Sequence, residues 1–200
     1  MGERRPPVKV AVCEYGAGNV RSVVIALNRL GLDVAISEDP ETVEAADLAV
    51  LPGVGAAASA MRGLIERDLD EALRRRVVDG RPTLGICLGL QLALESSDED
   101  GGVEGLGILP GRAFKLTEGR VPRIGWAPVD GLGETFYFAH SFAADTPAAT
   151  ARSDGYVAEA RRGPFVGVQF HPEKSGPAGG RYLAERVDEA REAVGRRSAS

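Results

Sequence analysis

Histidine, cysteine, methionine and tryptophan are all scarce in this chain, at two, two, two and one in 200 residues. The cysteines, at 13 and 87, lie far apart in a sequence with no export signal. They provide no disulfide framework and read as reduced thiols of a cytoplasmic protein. No apolar run reaches the ~18–20 residues of a membrane span. The start, "MGERRPPVKVAV", lacks the apolar stretch and cleavage site of a signal peptide, and "MGERRP" lacks the Ser or Thr of a myristoylation signal. There is no basic excess either: 24 Lys and Arg stand against 29 Asp and Glu, a net charge of −5. Nucleic acid and anionic membrane are therefore not expected as partners. No metal site and no cofactor is expected, and "GAGNV" and "GVGAAA" complete neither a P-loop nor a dinucleotide fingerprint. With 44% hydrophobic and 26% charged residues, the composition is that of a soluble globular chain able to bury a core. No repeat and no linker interrupts it. One domain over 1–200 is expected, with the ends, about 1–7 and 195–200, loosely held.

Short β-branched runs alternate with helical patterns through the first half. Strands are expected at 8–16, 33–37, 48–55 and 82–87, and helices at 19–31, 40–46, 64–80 and 88–96. Asn19 is a candidate cap and Gly31 a stop. Such alternation predicts an α/β fold with a mostly parallel central sheet and flanking helices. The second half is richer in strands. An acidic, glycine-rich surface loop is expected at 98–107, then short strands and turns from 108 to 170, and a last helix at about 178–194.

Gly85-Ile86-Cys87-Leu88-Gly89 has the form of a nucleophile elbow with cysteine at the reactive position. On so tight a strand-to-helix turn, side chains two before and two after the nucleophile would collide. The turn sets Cys87 at the carboxyl end of a parallel sheet, where ligands of open α/β folds bind. It also sets Cys87 at a helix N-terminus, which favours a thiolate. The backbone N–H of Leu88 is a candidate oxyanion donor. The other reading is a packed cysteine beside glycines that merely allow close contact. Cys13, inside a strand run without flanking glycines, reads as core.

A cysteine nucleophile needs a base, and the chain offers only His140 and His171. In "FVGVQFHPEKSG", Glu173 follows His171 by two residues and can fold back onto its second nitrogen, setting the tautomer. His140, in "FYFAHSFAA", has no carboxylate until Asp145 and reads as structural. His171 is therefore the expected base and Glu173 its orienting acid.

"GICLGLQL" and "GVQFHPEKSG" together resemble the class I, or triad, glutamine amidotransferases, and "LPGVG" agrees. "EYGAGNVRSV", "LPGVGAAASAM", "GLGILPGRAFKL", "PRIGW" and "FYFAHSF" narrow the resemblance to the glutaminase subunits of imidazole glycerol phosphate synthase, in the expected order from about 8 to 185. The resemblance implies hydrolysis of L-glutamine through a Cys87 thioester. The oxyanion would be held by Leu88 and the Gly53-Val54-Gly55 loop. Gln91 would contact the substrate, and His140-Ser141-Phe142 would offer backbone groups to its α-amino and carboxylate ends. It implies a (β/α)8 cyclase barrel as partner. The barrel uses the ammonia to make imidazole glycerol phosphate and the carboxamide nucleotide AICAR from PRFAR. The acidic loop, "YGAGN" and Trp126 are interface candidates, although a lone tryptophan is as readily core. Glu14, Ala57, Ala127 and Phe142 depart from the usual Asp, Phe, Asn and Tyr. These departures leave open a paralogue serving another synthase, or a non-catalytic regulatory subunit.

Overall fold

The computed structural model describes residues 8–198. The expectation for residues 1–7 and for 199–200 lies outside them. The first half runs β1 (Val10–Cys13), α1 (Val20–Asn28), β2 (Val34–Ser37), α2 (Pro40–Ala45), β3 (Leu48–Gly53), α3 (Ala57–Ile65), α4 (Leu69–Val78), β4 (Thr83–Cys87) and α5 (Leu88–Leu92). The second half adds β5 (Ser96–Ser97), β6 (Val103–Glu104), β7 (Arg112–Lys115), β8 (Arg123–Val129), β9 (Glu134–His140) and β10 (Phe142–Asp145). It closes with β11 (Ala149–Ser153), β12 (Tyr156–Arg162), β13 (Phe165–Val168) and α6 (Gly176–Ser198).

Seven strands form the main sheet in the order β11-β12-β13-β4-β3-β1-β2. From β13 to β2 every pairing is parallel, and β12 and β11 continue antiparallel. The α/β expectation holds. The inner strands β1, β3, β4 and β13 are buried at every residue, as strands covered on both faces must be. Alternation divides their side chains between two cores. Ala11, Cys13 and Leu51 pack with Leu64, Leu90 and Phe165, while Val10, Val12 and Val50 pack with Ile86, Phe138 and Phe170. Cys13 is core, as its sequence context implies, and burial pushes its thiol up to about 12. The second half also forms a side sheet, β10-β7-β5-β6, and the hairpin β8-β9.

One expected helix is broken, for a physical reason, and two others differ in length. The helix expected over 64–80 is two helices, broken at Asp68, whose φ is 55°. Leu64 and Leu69 are five residues apart, about 140° around a continuous helix, so one straight helix would bury only one of them. The break buries both completely. The preceding alanine-rich segment is helical as α3, and Gly63 lets it approach closely: a Cβ there would lie 2.1 Å from the Tyr15 carbonyl oxygen. α5 is shorter than 88–96 and α6 longer than 178–194. The 98–107 loop contains a 3-10 turn at Glu99–Gly101 and the strand β6. At α1, the Asn19 side chain caps no backbone N–H; its oxygen accepts the Ser22 hydroxyl instead.

One buried cation ties the helical layer to the sheet. Arg76 is fully buried, and its guanidinium donates to the carbonyls of Val43, Glu44, Ala46 and Pro82 at 2.6–2.8 Å. A fifth bond, 3.3 Å long, reaches the Thr83 hydroxyl. Arg76→Met keeps the apolar stem and strands these acceptors. Unfolding in urea at neutral pH is expected to show a loss of roughly 3–5 kcal/mol.

Candidate active site

Cys87 ends β4 and begins α5 with φ 54° and ψ −105°, outside the ordinary regions for a side-chain-bearing residue. The flanking glycines are required by contact. A Cβ on Gly85 would lie 2.8 Å from the Gly89 carbonyl oxygen and 2.9 Å from the Phe165 ring. A Cβ on Gly89 would lie 2.0 Å from the Leu51 carbonyl oxygen of the neighbouring strand. The elbow therefore forms because helix, turn and β3 meet where no side chain fits. Leu88 is the first residue of α5, where a helical N–H has no partner within the helix.

The sheet register brings the other groups alongside. Gly53 pairs with Cys87 across β3 and β4, so the Gly53-Val54-Gly55 loop begins beside the sulfur. On the other side Val168 of β13 pairs with Ile86, which carries Gln169 and then His171 toward the same point. Phe170, between them, is fully buried and stacks on Phe136 with centroids 4.1 Å apart. The His171 N–H donates to the Tyr137 carbonyl at 2.8 Å. Its carbonyl accepts the Ser175 hydroxyl at 2.6 Å, and the Ser175 Oγ in turn accepts the Tyr137 N–H at 2.9 Å. The imidazole is thus held from both backbone and core.

His171 Nδ1 lies 2.8 Å from Glu173 Oε1, and both side chains are almost wholly buried. That leaves Nε2 for the thiol. Burial disfavours the imidazolium, but hydrogen bonding to Cys87 and then to Glu173 outweighs it, and His171 is raised to about 9. At neutral pH it carries its proton. His140 is the opposite case. Burial is the largest cause holding it down to about 4. Its Nδ1 lies 2.9 Å from the Phe142 carbonyl and its Nε2 3.4 Å from Arg123. Arg123 in turn sits over the Phe138 ring and binds Ser153 and Asp154.

A cavity of about 500 Å³ opens over the sulfur. Val54, Gly55, Cys87, Leu88, Gln91, Ser141 and Phe142 all line it, seven of the residues singled out from sequence. Gly53 does not line it. It is a buried packing glycine, since a Cβ there would meet the Tyr15 hydroxyl at 2.7 Å and the Leu88 Cβ at 2.8 Å. His171 and Glu173 stand behind the wall. Three further residues were not anticipated from sequence. Glu99 lines the cavity and accepts the Ala57 N–H at 2.6 Å. Lys115 lines it from a position paired with Phe142 across β7 and β10. Gln169 donates from Nε2 to Cys87 Sγ at 3.6 Å. Among the described residues, no group of three or more His, Cys, Asp or Glu side chains is placed to hold a metal ion. Chemically, the arrangement offers a soft nucleophile, a protonated imidazole oriented by a carboxylate, and the leading N–H of a helix, beside a cavity lined by both polar and apolar groups.

Residues 11–190 match the family model described as glutamine amidotransferase class-I. A protein of Symbiobacterium thermophilum named imidazole glycerol phosphate synthase subunit HisH is 43% identical over 194 residues, covering 88% of this chain and 92% of the relative. Proteins with the same name from Leifsonia xyli and Thermus thermophilus are 42% and 40% identical. The alignments cover 89% and 88% of this chain, and 97% and 96% of those relatives. Among solved structures, one titled crystal structure of glutamine amidotransferase superposes with TM-score 0.76 at 23% identity, over 90% of this chain and 98% of its own. PurLQS from Thermotoga maritima superposes with TM-score 0.70 at 18% identity, over 94% and 99%. At those identities the likeness is one of fold.

Proposed function

The chain belongs to the class-I glutamine amidotransferase family, and from that premise we infer that it is the glutaminase subunit of imidazole glycerol phosphate synthase in histidine biosynthesis. The observation that carries the chemistry is Cys87 on a strained elbow at the end of β4, beside the strand that leads to a His171 oriented by Glu173 at 2.8 Å. The Cys87 thiolate attacks the side-chain amide carbon of L-glutamine. The tetrahedral oxyanion is received by the Leu88 N–H and by the 53–55 loop, where Gly55 at φ 107° lets the backbone turn toward it. His171 gives its proton to the departing ammonia and leaves a γ-glutamyl thioester. Now neutral, His171 takes a proton from water, whose hydroxide attacks the thioester and releases glutamate and the thiolate. Glu99 supplies a carboxylate for the substrate's α-ammonium. Lys115 and the Ser141-Phe142 backbone serve its α-carboxylate.

The partner is a (β/α)8 cyclase barrel that consumes the ammonia. In support, β8 carries Ile124 and Trp126, 61% and 58% exposed, and Ile124 lines the cavity. The sole tryptophan is therefore not core, and its exposure on the strand that carries Ile124 to the cavity fits an interface anchor. Relatives at 40–43% identity over most of their lengths carry the name of that synthase's subunit. The residues that depart from the usual pattern do not disturb the triad. Glu14 accepts the Gly16 N–H as a shorter acid would, and Ala57 is buried at the start of α3. No helix of the described residues is long and apolar enough to cross a membrane, and the proposed setting is the cytoplasm.

A glutamine-analogue electrophile tests the reading. It is expected to label Cys87 stoichiometrically and to spare the buried Cys13, with protection by glutamine. Equal labelling of both thiols, or none, would overturn it.

A further inference from the structure

We propose that Gln169 is a working part of this site: it donates a hydrogen bond to the Cys87 thiolate and fixes which way the Gln91 amide faces. Gln169 follows β13 directly, is fully buried, and is tied to the sheet by its own N–H, which donates to Ala158 at 2.9 Å. Its side chain has two neighbours. Nε2 lies 3.6 Å from Cys87 Sγ, and Oε1 lies 3.1 Å from Gln91 Nε2.

The direction of every bond in this chain follows from groups that have only one role. The Arg123 guanidinium can only donate, so His140 Nε2, 3.4 Å away, accepts and Nδ1 carries the proton. That Nδ1–H donates to the Phe142 carbonyl at 2.9 Å. The Phe142 carbonyl can only accept, so the end of Gln91 that lies 2.9 Å from it is the NH2 group. The second Gln91 proton then requires an acceptor, and Gln169 must present Oε1 to it. The far end of Gln169 is consequently NH2, aimed at the sulfur. A reversed Gln169 would set two NH2 groups against each other and an oxygen lone pair against a thiolate.

This arrangement has two consequences. The sulfur has a donor waiting for its anionic form, in addition to His171. As a thiol it has a different partner, the Ala139 carbonyl at 3.8 Å. Gln91 has both protons committed, so the group it presents to the cavity is its carbonyl oxygen. That oxygen suits an N–H of the amide substrate and opposes a carboxylate, which favours release of glutamate.

The kinetic part of the proposal rests on the glutaminase reading; the sulfur part does not. The test is the rate of Cys87 alkylation by iodoacetamide against pH on the full chain, for Gln169→Leu and Gln169→Glu, beside glutamate release in the barrel complex. Leu at 169 is expected to slow alkylation near neutral pH about 10- to 100-fold and to displace the profile to higher pH. Glu at 169 is expected to displace it further, because a carboxylate then faces the sulfur. In the complex both variants lower kcat and raise KM for glutamine. Folded variants that alkylate like the unmutated chain at every pH would overturn the proposal. Should the variants not fold, the unmutated chain still decides it. The side-chain amide proton resonances of Gln169 are expected to move when Cys87 is alkylated, and unmoved resonances would contradict the bond. An unmutated complex that releases no glutamate would instead overturn the glutaminase reading and leave the alkylation result standing.

Discussion

Cys87→Ser is expected to remove glutamine-driven turnover, by about 10³-fold or more, while the same complex supplied with ammonium salts works as before. The two halves of this result have separate causes. A serine hydroxyl on the same elbow has the right position, but its proton is far less acidic than a thiol's. In the unmutated chain hydrogen bonding to Cys87 leads the causes that raise His171 to about 9, so the imidazolium is matched to a sulfur anion that serine does not supply. The site is built to stabilise a thiolate beside an imidazolium, not to deprotonate an alcohol. The barrel's own chemistry is untouched, because the variant alters only the ammonia supply. Residual glutamine-driven turnover near the unmutated rate would remove Cys87 from the mechanism.

His171→Ala carries the second large effect. Without the imidazole, the leaving amine has no proton donor and the thiolate loses its cation, and a fall of about 10²- to 10⁴-fold in glutamate release is expected. His140→Ala is expected to cost about tenfold, since His140 is held neutral by burial and acts through the Phe142 carbonyl. The pH behaviour separates the two further. His171 is raised in the folded protein from 6.5 to about 9. The stability it contributes is therefore fully present below pH 6.5 and is lost as pH rises through about 9. Hydrolysis falls over the same alkaline limb as the imidazolium deprotonates. In His171→Ala the alkaline loss of stability between pH 6.5 and 9 disappears, which urea unfolding at a series of pH values would measure. Equal losses of activity in the two histidine variants would mean that the base had been misassigned.

The proposed triad could be read from the sequence because its spacing is imposed by sterics. Gly85 and Gly89 are the only residues that fit where β4, α5 and β3 converge, and Glu173 reaches His171 across a single proline turn. The parallel sheet was legible for a similar reason, since strands buried on both faces must be continuous apolar runs. Legibility failed where a residue's meaning depends on distant chain. Gln169 sits in an apolar run and gives no periodic signal; its role comes from a strand register that sets it beside Cys87, 82 positions away. Glu99 read as one more acid of a surface loop, yet it caps the α3 N-terminus 42 positions earlier. The break at Asp68 was missed because the charged segment 66–68 continues a helical pattern in polarity, and only the five-residue spacing of Leu64 and Leu69 betrays it. Gly53 was grouped with its loop by composition, whereas its contacts with Tyr15 and Leu88 make it part of the packing.

Glutamate release is the direct readout of whether this chain makes ammonia for a cyclase barrel. The purified chain is mixed with the histidine-pathway barrel of the same source, with and without the barrel's nucleotide substrate PRFAR. Slow release is expected from the chain alone, and strong stimulation when barrel and nucleotide are both present. Release from Cys87 that neither barrel nor nucleotide alters would contradict the assignment of partner while leaving the glutaminase chemistry in place.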